Sequence, residues 1–183
     1  MRTVRRVLSL AKMRAKYPIT STYKSKTLNN LSRRTGGKEA IKYIVIHYTG
    51  AGTSAPGQGK LDCVYFNREY VGASADFFID DGYIWRYNPD LKKYYSWHCG
   101  DGHGKYGITN RNSIGIEVCM GADKPFTAAE KKRLRRMVRA LCELYDIPKS
   151  HVVRHYDASR KLCPYYYAKR PEKWAALLKT LFK

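Results

Sequence analysis

With 183 residues, 44% of them hydrophobic, the chain has apolar material for one packed core, which excludes a wholly disordered polypeptide. No stretch approaches the roughly 20 apolar residues of a membrane-spanning helix. "VLSLA" in the basic N-terminus is shorter than the apolar core of about 7–15 residues that a signal peptide needs, so no ordinary secretion route is read there. The formal net charge of +20 predicts a polyanionic partner: nucleic acid, anionic lipid or an anionic cell-wall polymer.

In chain order, residues 1–40 read as a basic N-terminal arm, with eleven Lys/Arg against Glu39 alone. Within it "RRVLSLAKMRAK" suits a short basic amphipathic helix, and the polar run ending in Gly36-Gly37 reads as a linker. From Ile41 the texture changes. "IKYIVIHYTG" predicts a central strand, apolar on both faces and stopped at Gly50. "LDCVYFNREYV" predicts a helix with Leu61, Val64, Tyr65 and Arg68 along one side. "ADFFIDDGYIWRY" predicts two strands joined at an Asp-Gly turn, and "NSIGIEVCM" another strand. In "TAAEKKRLRRMVRALCELYDIP", Thr127 and Glu130 form a capping box, and Leu134, Met137, Val138, Leu141 and Leu144 recur at helical spacing. "EKWAALLKTLF" closes the chain as a helix. Strands and helices interleave, so residues 41–183 are expected to form a single α/β domain: a central mixed β-sheet flanked by helices, preceded by the basic arm.

Cys63, Cys99, Cys119, Cys142 and Cys163 are odd in number and lack paired spacing, which argues against a closed disulfide framework. They read as buried thiols with room for one ligand among them. His47 ends the first strand after a run of apolar residues, and His155 follows "HVV" in a similar setting. Each taken alone is either a satisfied core or rim residue or a ligand. Taken with Cys163 they make an N, N, S set, which suits zinc and leaves a fourth position open, as in catalytic sites. Glu117 alternates with Ile116 and Val118 on its strand. It is either paired structurally with a cation or a general base beside a metal-activated water. Lys161, two residues before Cys163, is either one more surface lysine or the cation that stabilises an oxyanion.

Five stretches, "IKYIVIHYTG", "YVGASADFFIDD", "SWHCG", "ITNRNSIGIEVCM" and "HVVRHYDASRKLCP", together resemble the zinc-dependent N-acetylmuramoyl-L-alanine amidases of the type 2 family. That family includes phage endolysins, muropeptide amidases and peptidoglycan recognition proteins. The resemblance runs from about residue 41 to 180, with the motifs in the family's order, and is nearest to prophage endolysins of Gram-positive hosts. It implies one Zn²⁺ held by His47, His155 and Cys163, with Glu117 and Lys161 as the catalytic pair. Some phage members use a tyrosine instead of the glutamate; here that position aligns with Ala75, and Asp76 stands where many relatives have histidine, its role left open. Trp97 and His98 match a stretch beside the substrate cleft, and read equally as an aromatic packing pair.

The implied reaction is hydrolysis of the amide joining muramic acid to L-alanine in peptidoglycan. The implied route is synthesis in the cytoplasm without a signal peptide and release to the wall through a phage-encoded pore. With no separate wall-binding domain before Lys183, anionic wall polymers are expected to meet the basic surface instead. A non-catalytic recognition module is the rival, opposed by the intact ligand set. A specific nucleic-acid binder is a second, opposed by the lack of zinc-finger spacing or an RNA-recognition motif.

Overall fold

β-branched and aromatic residues pair into a sheet wherever they can bury both faces. In the computed structural model, which describes residues 28–68, 70–121 and 123–183, they do so in seven strands. These are β1 (Leu31–Arg33), β2 (Tyr43–Gly50), β3 (Phe77–Ile79), β4 (Ile84–Arg86), β5 (Tyr94–Ser96), β6 (Ser113–Gly121) and β7 (Val152–Arg154). Five of them form the main sheet in the order β4-β3-β6-β2-β7. β3, β6, β2 and β7 run parallel, and β4 is an antiparallel edge. The mixed α/β sheet is as expected.

Side chains alternate across β2 and β6. Ile44, Ile46, Ile114, Ile116 and Val118 point to one face and join a single apolar cluster with two helices, α2 (Ala128–Tyr145) and α5 (Pro171–Phe182). The predicted stripe on α2 is buried throughout, and the Thr127–Glu130 capping box closes in both directions, at 2.8 and 3.0 Å. The opposite face carries Val45, His47, Gly115, Glu117 and Cys119, and it is here that chemistry collects.

The Asp-Gly turn forms as read. Asp80 is fully buried, and one of its oxygens accepts from Gly82 N and Tyr83 N, which closes the β3–β4 turn. The other accepts from Gly57 N, Gly59 N and Trp85 Nε1, which ties the start of α1 (Gln58–Phe66) to the sheet. That tether sets the rotation of α1. Gly59 and Cys63 face inward, whereas the side formed by Leu61, Val64 and Tyr65 faces solvent, with Leu61 62% exposed. Two short α-helices, α3 (His155–Ser159) and α4 (Tyr165–Ala168), and four 3-10 turns complete the described chain.

Within the stretch read as an arm, Leu31–Arg33 forms a strand. β1 pairs antiparallel with β5, Leu31↔Ser96 to Arg33↔Tyr94, so part of the expected arm belongs to the domain. The physical reason is Arg34. It is buried, and its guanidinium donates to Leu91 O at 2.9 Å, Ser113 O at 3.0 Å and Arg111 O. Burial lowers its pKa, and the charge of buried Asp76 opposes that shift. Asp76 in turn accepts from Asn88 Nδ2 at 2.7 Å and Gly115 N at 2.8 Å, which fastens β6 beside the site. The role left open for Asp76 is therefore that of a structural anchor. Arg34→Leu is expected to cost about 3 kcal/mol in urea unfolding, because it takes a donor from the carbonyls of Leu91, Arg111 and Ser113 and removes the cation whose charge acts on buried Asp76; a loss below about 1 kcal/mol would contradict this account. The predicted helix in "RRVLSLAKMRAK" lies outside the described residues.

Candidate metal centre

Three neighbouring parallel strands deliver the site at their C-terminal ends, where open α/β sheets place their ligands. On β2 and β6, His47 and Glu117 stand in register as Cα partners. On the other flank, Arg154 of β7 pairs with Ile46, and the next residue, His155, opens α3. The chain then returns: Tyr156 N donates to Cys163 O at 2.9 Å, which brings the cysteine beside the two histidines. One donor atom from each of His47, His155 and Cys163 lies within 4.8 Å of the others, and all three residues are buried. His47 Nδ1 is 3.8 Å from Cys163 Sγ and 3.9 Å from Glu117 Oε1.

The hydrogen bonds behind these rings assign their protons. Ser113 spends its only proton on the Thr109 carbonyl, so its oxygen can only accept from His98 Nε2, 3.1 Å away. His98 Nδ1 is then the acceptor in the 3.0 Å contact with His47 Nε2. His47 therefore carries its proton on Nε2 and presents a bare Nδ1 to the cluster. His155 donates from Nε2 to Asp101 Oδ1 at 2.7 Å and likewise keeps Nδ1 free. Outer partners of this kind orient metal-binding histidines and fix their tautomers.

Two glycines make room for these partners. A Cβ on Gly115 would sit 2.5 Å from the His98 ring, and one on Gly102 would sit 2.3 Å from the Ala158 carbonyl, where the Asp101 turn presses on α3. His98 is thus a buried support behind His47, with both ring nitrogens already used. Trp97 is half-buried and turned towards β1, its Nε1 donating to Ser32 Oγ at 2.8 Å.

The electrostatics favour cation binding. Burial lowers the pKa of His47 far below its ordinary value and that of His98 to about 3. Burial also lowers His155, with Asp101 pulling the other way. These shifts favour the neutral form of His47 and His155 that ligation requires. Burial pushes the Cys163 thiol up, a penalty that a bound cation removes by stabilising the thiolate. Glu117 is pushed up to about 8 by burial, with Asp62 adding to the shift and Lys161 opposing it. Its Oε2 is buried without a hydrogen-bond partner. Such an orphan is costly unless something else occupies the space before it. Lys161 is exposed at the rim, and its charge acts on His47, His155, Glu117 and Asp101. The N, N, S donor set, the two bare ring nitrogens and the unpartnered Oε2 of Glu117 together fit a metal ion of borderline softness.

A family profile described as N-acetylmuramoyl-L-alanine amidase matches residues 37–166. The chain belongs to the N-acetylmuramoyl-L-alanine amidase family. Among curated amidases it is similar to CwlH of Bacillus subtilis (strain 168), 34% identical over 131 residues, which cover 72% of this chain and 50% of that protein. XlyA from the same organism is 33% identical over 133 residues, 73% of this chain and 42% of that protein. The chain thus spans half or less of the length of these two amidases. Among solved structures, a mutant endolysin from Bacillus subtilis superposes with a TM-score of 0.67 at 30% identity, covering 88% of this chain and 98% of that one. Such amidases are typically zinc-dependent.

Sequence reasoning passed over Asp101, Ser113 and Asp62. Asp101 sits in a Gly-rich turn that reads only as a loop, and Ser113 opens a strand. Asp62 carried a weak signal, an acidic residue on a short helix otherwise rich in apolar side chains.

Proposed function

We propose that this chain is a peptidoglycan hydrolase that cleaves the amide between N-acetylmuramic acid and L-alanine, using one Zn²⁺ held by His47, His155 and Cys163. The observation that carries this reading is the buried cluster of His47, His155 and Cys163 beside Glu117, whose Oε1 is 3.9 Å from His47 Nδ1 and whose Oε2 is buried without a hydrogen-bond partner. When bound there, zinc supplies Lewis acidity, acidifying a water and polarising the amide carbonyl. Glu117 takes the proton of the attacking water and passes it to the departing alanine nitrogen. Lys161 at the rim balances negative charge on the carbonyl oxygen. His98 and Asp101 touch no substrate; they hold the two imidazoles. An intact ligand set disfavours the reading as a mere recognition module. The relatives' names support an endolysin working at the bacterial wall.

The test is turnover of purified Gram-positive sacculi with zinc counted per chain. About one zinc and new N-terminal alanine without new reducing sugar are expected. Sacculi bound but uncut by zinc-loaded protein would overturn the proposal.

The support of His155 has its own test. Asp101→Ala is expected to weaken zinc binding about 10–100-fold, read by chelator competition. Unchanged affinity would remove Asp101 from the site.

A further inference from the structure

Helix α5 buries Trp174, Leu177 and Leu181 against the sheet face opposite the metal centre. A concavity flanks it on each side. One, of about 320 Å³, is framed by Lys131, Tyr166, Lys173 and Thr180. The other, of about 560 Å³, is framed by Lys149, Ser150, Lys179, Phe182 and Lys183. No acidic side chain lines either. Among the described residues none of these five lysines is paired with an acid, and the nearby Asp123 is already held by Arg170 at 2.6 Å. Glu172 is the acidic residue in the first turn of α5. On α2, which packs beside α5, Lys132 and Arg136 add exposed cations.

We infer that this face docks a phosphodiester polymer of the wall, of the polyol-phosphate class, while the opposite face works on peptidoglycan. The location of the partner rests on the proposed function; the charge of the surface does not. Spaced lysines with hydroxyls beside them match an anionic chain that repeats phosphate and alcohol groups. A single-stranded nucleic acid fits less well, because its bases need free aromatic faces to stack on. Here Lys149 stands over the Phe182 ring at 5.3 Å and Arg170 over Tyr166 at 4.5 Å, so cations already cover those faces. Because the two faces lie on opposite sides of one sheet, polymer and substrate do not compete.

The experiment compares the natural chain with a variant carrying Lys131→Gln, Lys149→Gln, Lys173→Gln and Lys179→Gln. Co-sedimentation is measured with native sacculi and with sacculi stripped of polyol phosphate, over a salt series, and alanine release is measured on the stripped sacculi. The natural chain is expected to prefer native walls. The variant should bind them about 10–100-fold more weakly, with a log–log salt slope shallower by about 3, and should cut stripped sacculi as fast as the natural chain. Equal binding of the natural chain to native and stripped walls overturns the inference. So does native binding in the variant, or a preference of the natural chain for single-stranded DNA over poly(glycerol phosphate). Polymer binding lost with the lysines, but without alanine release from either protein, overturns the hydrolase reading and leaves the docking surface supported.

Discussion

Cys163→Ser is expected to yield a folded protein that retains almost no zinc after dialysis and releases no alanine from sacculi. The thiol is buried 3.8 Å from His47 Nδ1, and serine preserves its size while removing the soft donor. The loss should also appear without any assay of turnover. A ligand that binds only the folded state stabilises it by RT ln(1 + [L]/Kd), about 4 kcal/mol at a thousandfold excess over Kd. For a domain of this size that raises the melting temperature by about 10 °C. Zinc should produce that rise in the natural protein and little of it in Cys163→Ser or His155→Ala. Equal zinc-induced rises in the natural and substituted proteins would show that the ion binds elsewhere.

Glu117→Gln is expected to keep about one zinc per chain and to lose about 10²–10⁴-fold in rate, the usual scale for general acid–base catalysis. Glutamine fills the same space but cannot take a proton. The metal-free proteins offer a second reading. Burial pushes the Glu117 carboxyl from its ordinary 4.5 up to about 8. An acid with a raised folded pKa binds more protons folded than unfolded, so its contribution to stability is full below 4.5 and is lost as pH rises through 8. Metal-free natural protein should therefore lose stability relative to Glu117→Gln across that window, as followed by urea unfolding at each pH. A nearby dication favours the carboxylate, so zinc should narrow the difference. Near-normal turnover in a folded Glu117→Gln protein would remove Glu117 as the base.

The strands, the capped helix and the Asp-Gly turn were legible because each rests on neighbours in sequence: Thr127 with Glu130, Asp80 with Gly82 and Tyr83. His47, Glu117, His155, Cys163 and Lys161 were legible as chemistry-bearing types at strand ends and in one polar run. What escaped depends on distant partners. The rotation of α1 is set by Asp80, 21 residues beyond Gly59. Arg34 looked like one cation of an arm because the carbonyls it serves lie 57 to 79 residues away. The contact of His98 with His47 was not legible because nothing local places it under a residue 51 positions earlier. Polar residues whose role is to hold another polar residue leave no periodicity to read.

The order in which the chain supplies its ligands has a kinetic consequence. His47 and Cys163 are 116 residues apart, and they meet only when β7 lies beside β2, while β6 on the other side of β2 brings Glu117. Contacts of such long separation form late, after the loop entropy of a parallel sheet has been overcome. A half-folded chain thus holds isolated imidazoles and thiols but no site. Tight zinc capture should rise with the last phase of refolding rather than the first, which makes the ion a clock for completion of the sheet.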